Sequence, residues 1–168
     1  HEILRTSIQS QAGAPIQVIN PDSDISLNQV DLREHSSEDC DRLVEQLAKE
    51  EAIAPFDLTV APLIRGTLLQ CSDTEDVLLL TMHHIVSDGW SMGVLIQELS
   101  SLYQSFLQGL ASPLEDLPIQ YADFAHWQRK RDDIFKSQLA YWKRQLQDAP
   151  PLLELPTDHP RANQQRYR

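Results

Sequence analysis

The sequence predicts an α+β fold: an α/β sandwich with one mixed β-sheet packed by helices. Residues 77–82 are apolar in both alternating registers, which is typical of a strand covered on both faces and therefore of a central one. Residues 92–107 repeat apolar side chains at helical spacing, which predicts a long helix with a core-facing stripe. The chain has 168 residues, 41% of them hydrophobic, which is enough for one core.

The first third of the chain predicts three short strands followed by a helix. Residues 5–9 and 16–19 are expected to form a hairpin around Gly13, and residues 25–32 a further strand. Ser36 is a candidate N-cap, with acidic residues in the turn that follows it. Apolar residues recur at helical spacing after this cap, and the pattern stops before Pro55, so a helix is predicted between them.

The rest of the chain predicts a strand pair and three helices. Residues 63–71 and 77–84 are expected to pair antiparallel across a short acidic loop. The apolar stripe of residues 92–107 is expected to end at Gly109. Two further helices are predicted, one that begins near residue 119 and one over residues 134–146, before an extended Pro-rich stretch from Pro150.

Composition excludes several classes of function. The net charge of -11 argues against nucleic acid as a partner, and no apolar run is long enough for a membrane span. Cys40 and Cys71 are too few for a disulfide framework, so we expect a cytoplasmic location. Residues 120–168 carry nine basic and six acidic residues, against five and nineteen before them. We interpret this positive stretch as a solvated helix face rather than a site for an acidic partner.

Two adjacent histidines, His83 and His84, follow the predicted strand of residues 77–82. Asp88 and Gly89 come after them in the turn before the helix. Rigid scaffolds often carry chemistry where a strand opens into a loop. Neighbouring strand side chains point to opposite faces, so the two histidines cannot have the same role. A single histidine here would favour a structural role, but the pair followed by Asp-Gly favours catalysis.

The run His-His-x-x-x-Asp-Gly over residues 83–89 resembles the signature of condensation domains of nonribosomal peptide synthetases, which share the chloramphenicol acetyltransferase fold. Thr81, Met82 and residues 90–95 resemble the flanks of that signature, which makes the likeness more specific. His1 to Thr6 resembles a second motif, Arg-His-Glu-x-Leu-Arg-Thr, without its leading Arg. The resemblance extends to other segments that cover nearly the whole chain, namely residues 55–58, 61–65, 117–124, 139–142 and 153–158.

This resemblance implies one partial condensation domain over residues 1–168, an N-terminal lobe in which residues 150–168 lead towards a missing C-terminal lobe. The implied activity is formation of an amide bond between a donor acyl or peptidyl thioester and an acceptor aminoacyl thioester. The implied partners are upstream and downstream carrier domains and an adjacent adenylation domain. The phosphopantetheine arms belong to those carriers, and no cofactor is expected on this chain. With one lobe only, we expect the chain by itself to be inactive.

The resemblance also assigns roles within the motif. His84 is the expected catalytic residue, either as a base for the amine or as the group that orients it, since an imidazole suits proton transfer near neutrality. His83 is expected to face inward as structure. Asp88 is interpreted as a structural group that pairs with an Arg, although Arg5 is the only Arg of the second motif present. Gly89 is expected to allow either close approach of a substrate arm or positive φ.

Four alternatives are weaker. A metal site on His-x-x-x-Asp lacks a third ligand at suitable spacing. Ser87 and Ser91 lack the Gly-x-Ser-x-Gly elbow of a nucleophile. An epimerisation-type or other carrier-dependent acyltransferase shares the two histidines but usually departs from this pattern after the Gly. A non-catalytic lobe that docks carrier domains stays open for the chain by itself.

Overall fold

The structure is a computed structural model that describes residues 1–150, 155, 156 and 158, without the side chains of Asp132 and Asp133. The chain forms two compact units, His1–His126 and Trp127–Arg168. The predicted single partial domain over residues 1–168 stays a prediction at this level. Most of the stretch 150–168, which we expected to lead to a second lobe, lies outside the described residues.

A hairpin opens the first unit. A short 3-10 helix, Glu2–Arg5, leads into β1 (Thr6–Gln11), which pairs antiparallel with β2 (Ala14–Ile19). The two residues between the strands, Ala12 and Gly13, have φ values of 51° and 80°. Positive φ at both central residues matches the strand twist in a two-residue hairpin turn, and Gly adopts it without steric cost. The predicted hairpin is therefore confirmed.

A mixed three-stranded sheet forms the centre of the first unit. It contains β3 (Leu27–Asp31), β4 (Ile64–Gln70) and β5 (Asp76–Met82), in the order β3-β4-β5. β3 runs parallel to β4, and β4 pairs antiparallel with β5. The predicted mixed sheet and antiparallel pair are confirmed.

The expectation that residues 77–82 form a central strand is wrong for the described residues. β4 has hydrogen-bonded neighbours on both sides, whereas β5 pairs with β4 alone. No side chain of β5 is fully buried, and Leu78 is 40% exposed. Apolar character in both registers therefore did not distinguish an edge strand from a central one, because hydrogen-bond pairing leaves no mark in the hydrophobic pattern.

One face of this sheet is covered by α1 (Ser37–Ile53). Ser36 caps the helix as predicted, since its hydroxyl accepts the backbone N–H of Asp39 at 3.2 Å. The buried centre of the packing consists of Leu32, Cys40 and Leu69. Half-buried apolar side chains of the helix and sheet surround it: Val30, Leu43, Val44, Leu47, Cys71, Val77 and Leu79.

The second long helix, α2 (Gly89–Leu107), forms where predicted but does not bury its apolar stripe. It has no fully buried residue, and Ile96, Tyr103 and Phe106 are 60%, 64% and 60% exposed. The expectation of a core-facing stripe is therefore wrong for the described residues. A period of 3.6 identifies an apolar helix face, but it does not say whether another element packs on that face.

Two shorter helices follow, α3 (Tyr121–Arg129) and α4 (Asp132–Gln145), in agreement with the sequence prediction. In the second unit the guanidinium of Arg131 lies 4.4 Å from the centre of the Trp127 ring. None of the helices among the described residues has the length and apolarity that a membrane crossing requires.

Candidate active site after strand β5

The His-His-x-x-x-Asp-Gly run connects the end of β5 to the start of α2. The N–H of His83 donates to the carbonyl of Leu63 at 3.0 Å, which continues the sheet pairing by one residue. The chain then turns, because the N–H of Val86 donates to the carbonyl of His83 at 3.0 Å. His84 and Ile85 thus lie in a turn and not on a strand. The argument from opposite strand faces does not apply to them, although the two histidines do have different environments.

His83 is held by its neighbours. Its ring is half-buried and meets the Phe56 ring edge-on, with centroids 6.0 Å apart and planes at 82°. Its Nδ1 accepts the backbone N–H of Ile85 at 3.0 Å. A nitrogen that accepts carries no proton, so neutral His83 has its proton on Nε2. Its backbone carbonyl also accepts the Ser87 hydroxyl at 3.3 Å. These contacts stabilise the turn that contains His84.

His84 is exposed at the corner of this turn. An exposed imidazole on a braced turn is accessible to a reacting group and is aimed by the backbone beneath it.

Asp88 is the N-cap of α2. Its carboxylate accepts the backbone N–H of Ser91 at 2.8 Å, and the Ser91 hydroxyl accepts the N–H of Asp88 at 2.8 Å. This is a reciprocal capping box with Ser at the fourth position. The hydrogen bond from the Ser91 backbone is the main reason that the pKa of Asp88 is lowered, because it favours the charged carboxylate. Asp88 is therefore positioned as a helix cap.

The expected pairing of Asp88 with an Arg is not made by Arg5. The Arg5 guanidinium instead donates to Glu2 Oε1 and to the carbonyl of Pro21, both at 3.3 Å. Arg5 ends the 3-10 helix, and its side chain binds that helix to the end of the hairpin. Among the residues that the structure describes, the Asp88 carboxylate is bound by the Ser91 backbone N–H of the capping box.

Gly89 is the first residue of α2. Its φ is not positive, so that interpretation of Gly89 is wrong. A Cβ at this position would meet no heavy atom within 4 Å. A substrate arm could approach Gly89 closely only if there is open space beside it. The expectation that Gly89 allows this approach stays a prediction.

A cavity of about 210 Å³ lies beside the motif on the side of the 3-10 helix. Its walls are mostly apolar, and it is lined by His1, Ile3, Leu4, Met82, Val86, Ser87, Trp90, Ser91, Val94 and Leu95. His84 and Asp88 are not among these residues, so neither the exposed imidazole nor the capping carboxylate lines the cavity. Across residues 1–150, 155, 156 and 158, no cluster of three or more His, Cys, Asp and Glu side chains is arranged to hold a metal ion.

Sequence reasoning missed three residues that shape this site. Ser91 stands three positions after Asp88, and this capping-box spacing was a usable signal. Phe56 and Leu63 contact His83 from positions 27 and 20 residues earlier in the chain. No local pattern links them to the motif, since their contacts depend on how β4 pairs with β5.

Comparisons with known proteins find similar proteins over nearly the whole chain. The family model of the condensation domain matches residues 1–168. A linear gramicidin synthase protein from Brevibacillus parabrevis is 49% identical over 170 residues, covering 100% of this chain and 3% of that protein. The solved complex of the X-domain and OxyB from teicoplanin biosynthesis is 30% identical, with a TM-score of 0.81 over 96% of this chain and 35% of that one. The epimerization domain from the third module of tyrocidine synthetase B is 28% identical, with a TM-score of 0.77 over 96% of this chain and 36% of that one.

Proposed function

The chain belongs to the condensation-domain family, and from this premise we propose that it supplies the histidine half of an amide-forming site. In the proposed reaction, an acceptor aminoacyl thioester attacks a donor acyl or peptidyl thioester. Because the chain spans 3% of the length of the gramicidin synthase protein that it matches, the activity is proposed for the longer protein of which these residues would be a part.

One observation carries the proposal: His84 is exposed on a turn whose base is fixed by His83. In the reaction the amine nitrogen bonds to the donor carbonyl carbon, the carbon–sulfur bond breaks, and the thiol leaves with a proton. The thioester is already reactive, so catalysis needs mainly an aimed, unprotonated amine. An imidazole at His84 serves either by taking the amine proton or by holding the amine in line.

The partners follow from the proposed chemistry. Both thioesters are carried on phosphopantetheine arms of carrier domains, one upstream and one downstream, and an adenylation domain of the same megaenzyme loads the acceptor. The proposed location is the cytoplasm, which the free thiols of Cys40 and Cys71 support. Neither nucleic acid nor a membrane enters this proposal.

Epimerisation of a carrier-bound residue is the second candidate, because an epimerization domain is among the similar structures. It would use the same histidine to move a proton at the α-carbon and would form no new amide. The residues after Gly89, Trp90-Ser91-Met92-Gly93, resemble the condensation version of the motif and favour amide formation with an L-configured or fatty-acyl donor.

Product analysis separates the two candidates. The longer protein is mixed with a donor-loaded and an acceptor-loaded carrier, and the thioesters are released and analysed by mass spectrometry and chiral chromatography. We expect a new amide on the acceptor carrier and no inverted residue. Inversion of the donor residue without amide formation would support epimerisation. If neither the amide nor the inverted residue is formed, both candidates are contradicted. Preference for a D-configured donor would overturn the assigned donor type.

A further inference from the structure

The geometry points to Phe56 and Arg65 as positioning residues of the histidine motif, which act on His84 through His83. This inference rests on the proposed function, because it concerns the same site. His83 contacts the ring of Phe56, a residue that lies outside the motif. Both residues come from the connection between α1 and β4 and from the start of β4.

Arg65 anchors this connection. Its Nε donates to Glu51 Oε1 at 2.6 Å, and its terminal nitrogens donate to the carbonyls of Glu51, Ala54 and Pro55 at 3.2, 2.9 and 3.1 Å. The Arg65 and Glu51 side chains are only 29% and 20% exposed. Carbonyls at a helix C-terminus lack intrahelical partners and carry partial negative charge, so a guanidinium there satisfies both needs. Arg65 thus fixes where α1 ends and how the chain leaves it.

The same guanidinium holds the Phe56 ring. Its central carbon lies 3.8 Å from the ring centroid, which is close cation–π contact. The planar guanidinium stacks on an aromatic face while its edge donates hydrogen bonds, and a lysine ammonium cannot do both. One ring is therefore contacted by Arg65 over its face and by His83 edge-on.

The Phe56 ring is connected through His83 to the turn that contains His84. With its ring set by Phe56, His83 presents Nδ1 to the N–H of Ile85 at 3.0 Å. Ile85 is the residue directly after His84, so this bond fixes the peptide plane that follows the exposed imidazole. A displacement of about 1 Å at a reacting group can cost about a hundredfold in rate. Rotation of the His83 ring would move His84 without unfolding the sheet.

The direct test is the tautomer of His83 in this chain. Long-range proton–nitrogen spectra of histidine-labelled protein identify which ring nitrogen carries the proton, and hydrogen exchange reports the Ile85 amide. We expect Phe56→Leu and Arg65→Gln to mix the tautomers and to speed Ile85 exchange at least about tenfold. Phe56→Tyr keeps the ring and should keep both signals. Arg33→Gln removes another ion-paired arginine, remote from the motif, and is the matched control.

Two outcomes would overturn the inference. One is that the His83 tautomer and the Ile85 exchange rate are unchanged in Phe56→Leu. This variant retains apolar volume at position 56, so its result alone tests the inference if Arg65→Gln does not fold. The other is an equal rise in exchange at Leu69, in the centre of the core, which would mean general loosening. In the longer protein, Phe56→Leu should lower kcat about tenfold and leave the acceptor KM within about twofold. A tautomer change in a protein that makes no amide would refute the proposed function and leave the positioning role intact.

Discussion

Adjacent histidines in this chain differ because one is fixed and the other is presented. His83 contacts an aromatic ring and accepts a backbone N–H, whereas His84 is exposed one residue further along the turn. The difference arises from the backbone, which leaves the strand at His83. In an extended strand both residues would occupy a pleated surface, and neither would stand at a corner.

This difference predicts separate effects of alanine at the two positions. His83→Ala removes the ring contact and the acceptor for Ile85, so the free energy of unfolding should fall by roughly 1–2 kcal/mol. His84→Ala removes an exposed side chain and should leave stability within about 0.5 kcal/mol of the parent. Urea unfolding of this chain measures both. A larger loss from His84→Ala than from His83→Ala would reverse the assignment.

The residue identities of this site were largely predictable, but their contacts were not. The motif marked His83, His84, Asp88 and Gly89 from sequence alone. Arg5 is not the Arg partner expected for Asp88, and the pairing with an Arg otherwise stays a prediction; in the structure the Asp88 carboxylate caps α2. The contact of Phe56 with His83 depends on tertiary pairing and has no local signal.

At the scale of elements, periodicity and caps in the sequence predict the strands and helices, but they do not predict which elements pack against them. Ser36 and Asp88 each begin a helix through their side chains, and Gly109, with φ of 69°, lies just past the end of α2. The position of β5 at the sheet edge and the exposed stripe of α2 could not be read from sequence. Both depend on which elements pack together, and apolar spacing alone does not encode this.

Capping by Asp88 predicts a pH-dependent start of α2. The pKa of Asp88 is lowered in the folded chain, mainly by the Ser91 N–H, so its stabilisation is complete above the usual Asp pKa of 3.8. It is lost as the pH falls through the lower folded value. Asp88→Ala should therefore lower the thermal midpoint by a few degrees at pH 7, and the gap should close in acid.

Asp88→Asn is the matched variant, because an amide caps a helix almost as well as a carboxylate but does not titrate in this range. Its midpoint should lie near that of the parent at pH 7. Thermal scans between pH 2 and pH 7 followed by circular dichroism measure all three proteins. A gap between Asp88→Ala and the parent that widens in acid would contradict the capping role.

At the scale of the whole molecule, the described residues hold His84 on a stabilised turn but leave its side chain exposed. His84 does not line the cavity beside the motif, and the apolar stripe of α2 is also exposed. The chain covers 36% of the epimerization-domain structure that it resembles. A site that aligns two thioester arms must enclose them and exclude water, and exposure of His84 works against both.

We therefore expect this chain by itself to form no amide above the level of loaded carriers alone. Purified chain is incubated with donor-loaded and acceptor-loaded carriers, and the acceptor thioester is analysed by mass spectrometry. The carriers without the chain are the control. Amide formed above this control, and lost in His84→Ala, would show that these 168 residues suffice.

The central claim, that His84 acts in amide formation, is tested most directly by a single-turnover measurement in the longer protein. Preloaded donor and acceptor carriers are mixed with the parent, His84→Ala or His35→Ala, a control at another exposed histidine. We predict an amide-forming rate constant about 10² to 10⁴ times lower for His84→Ala, with its thermal midpoint unchanged, and the parent rate for His35→Ala. A His84→Ala rate within about threefold of the parent would contradict the account.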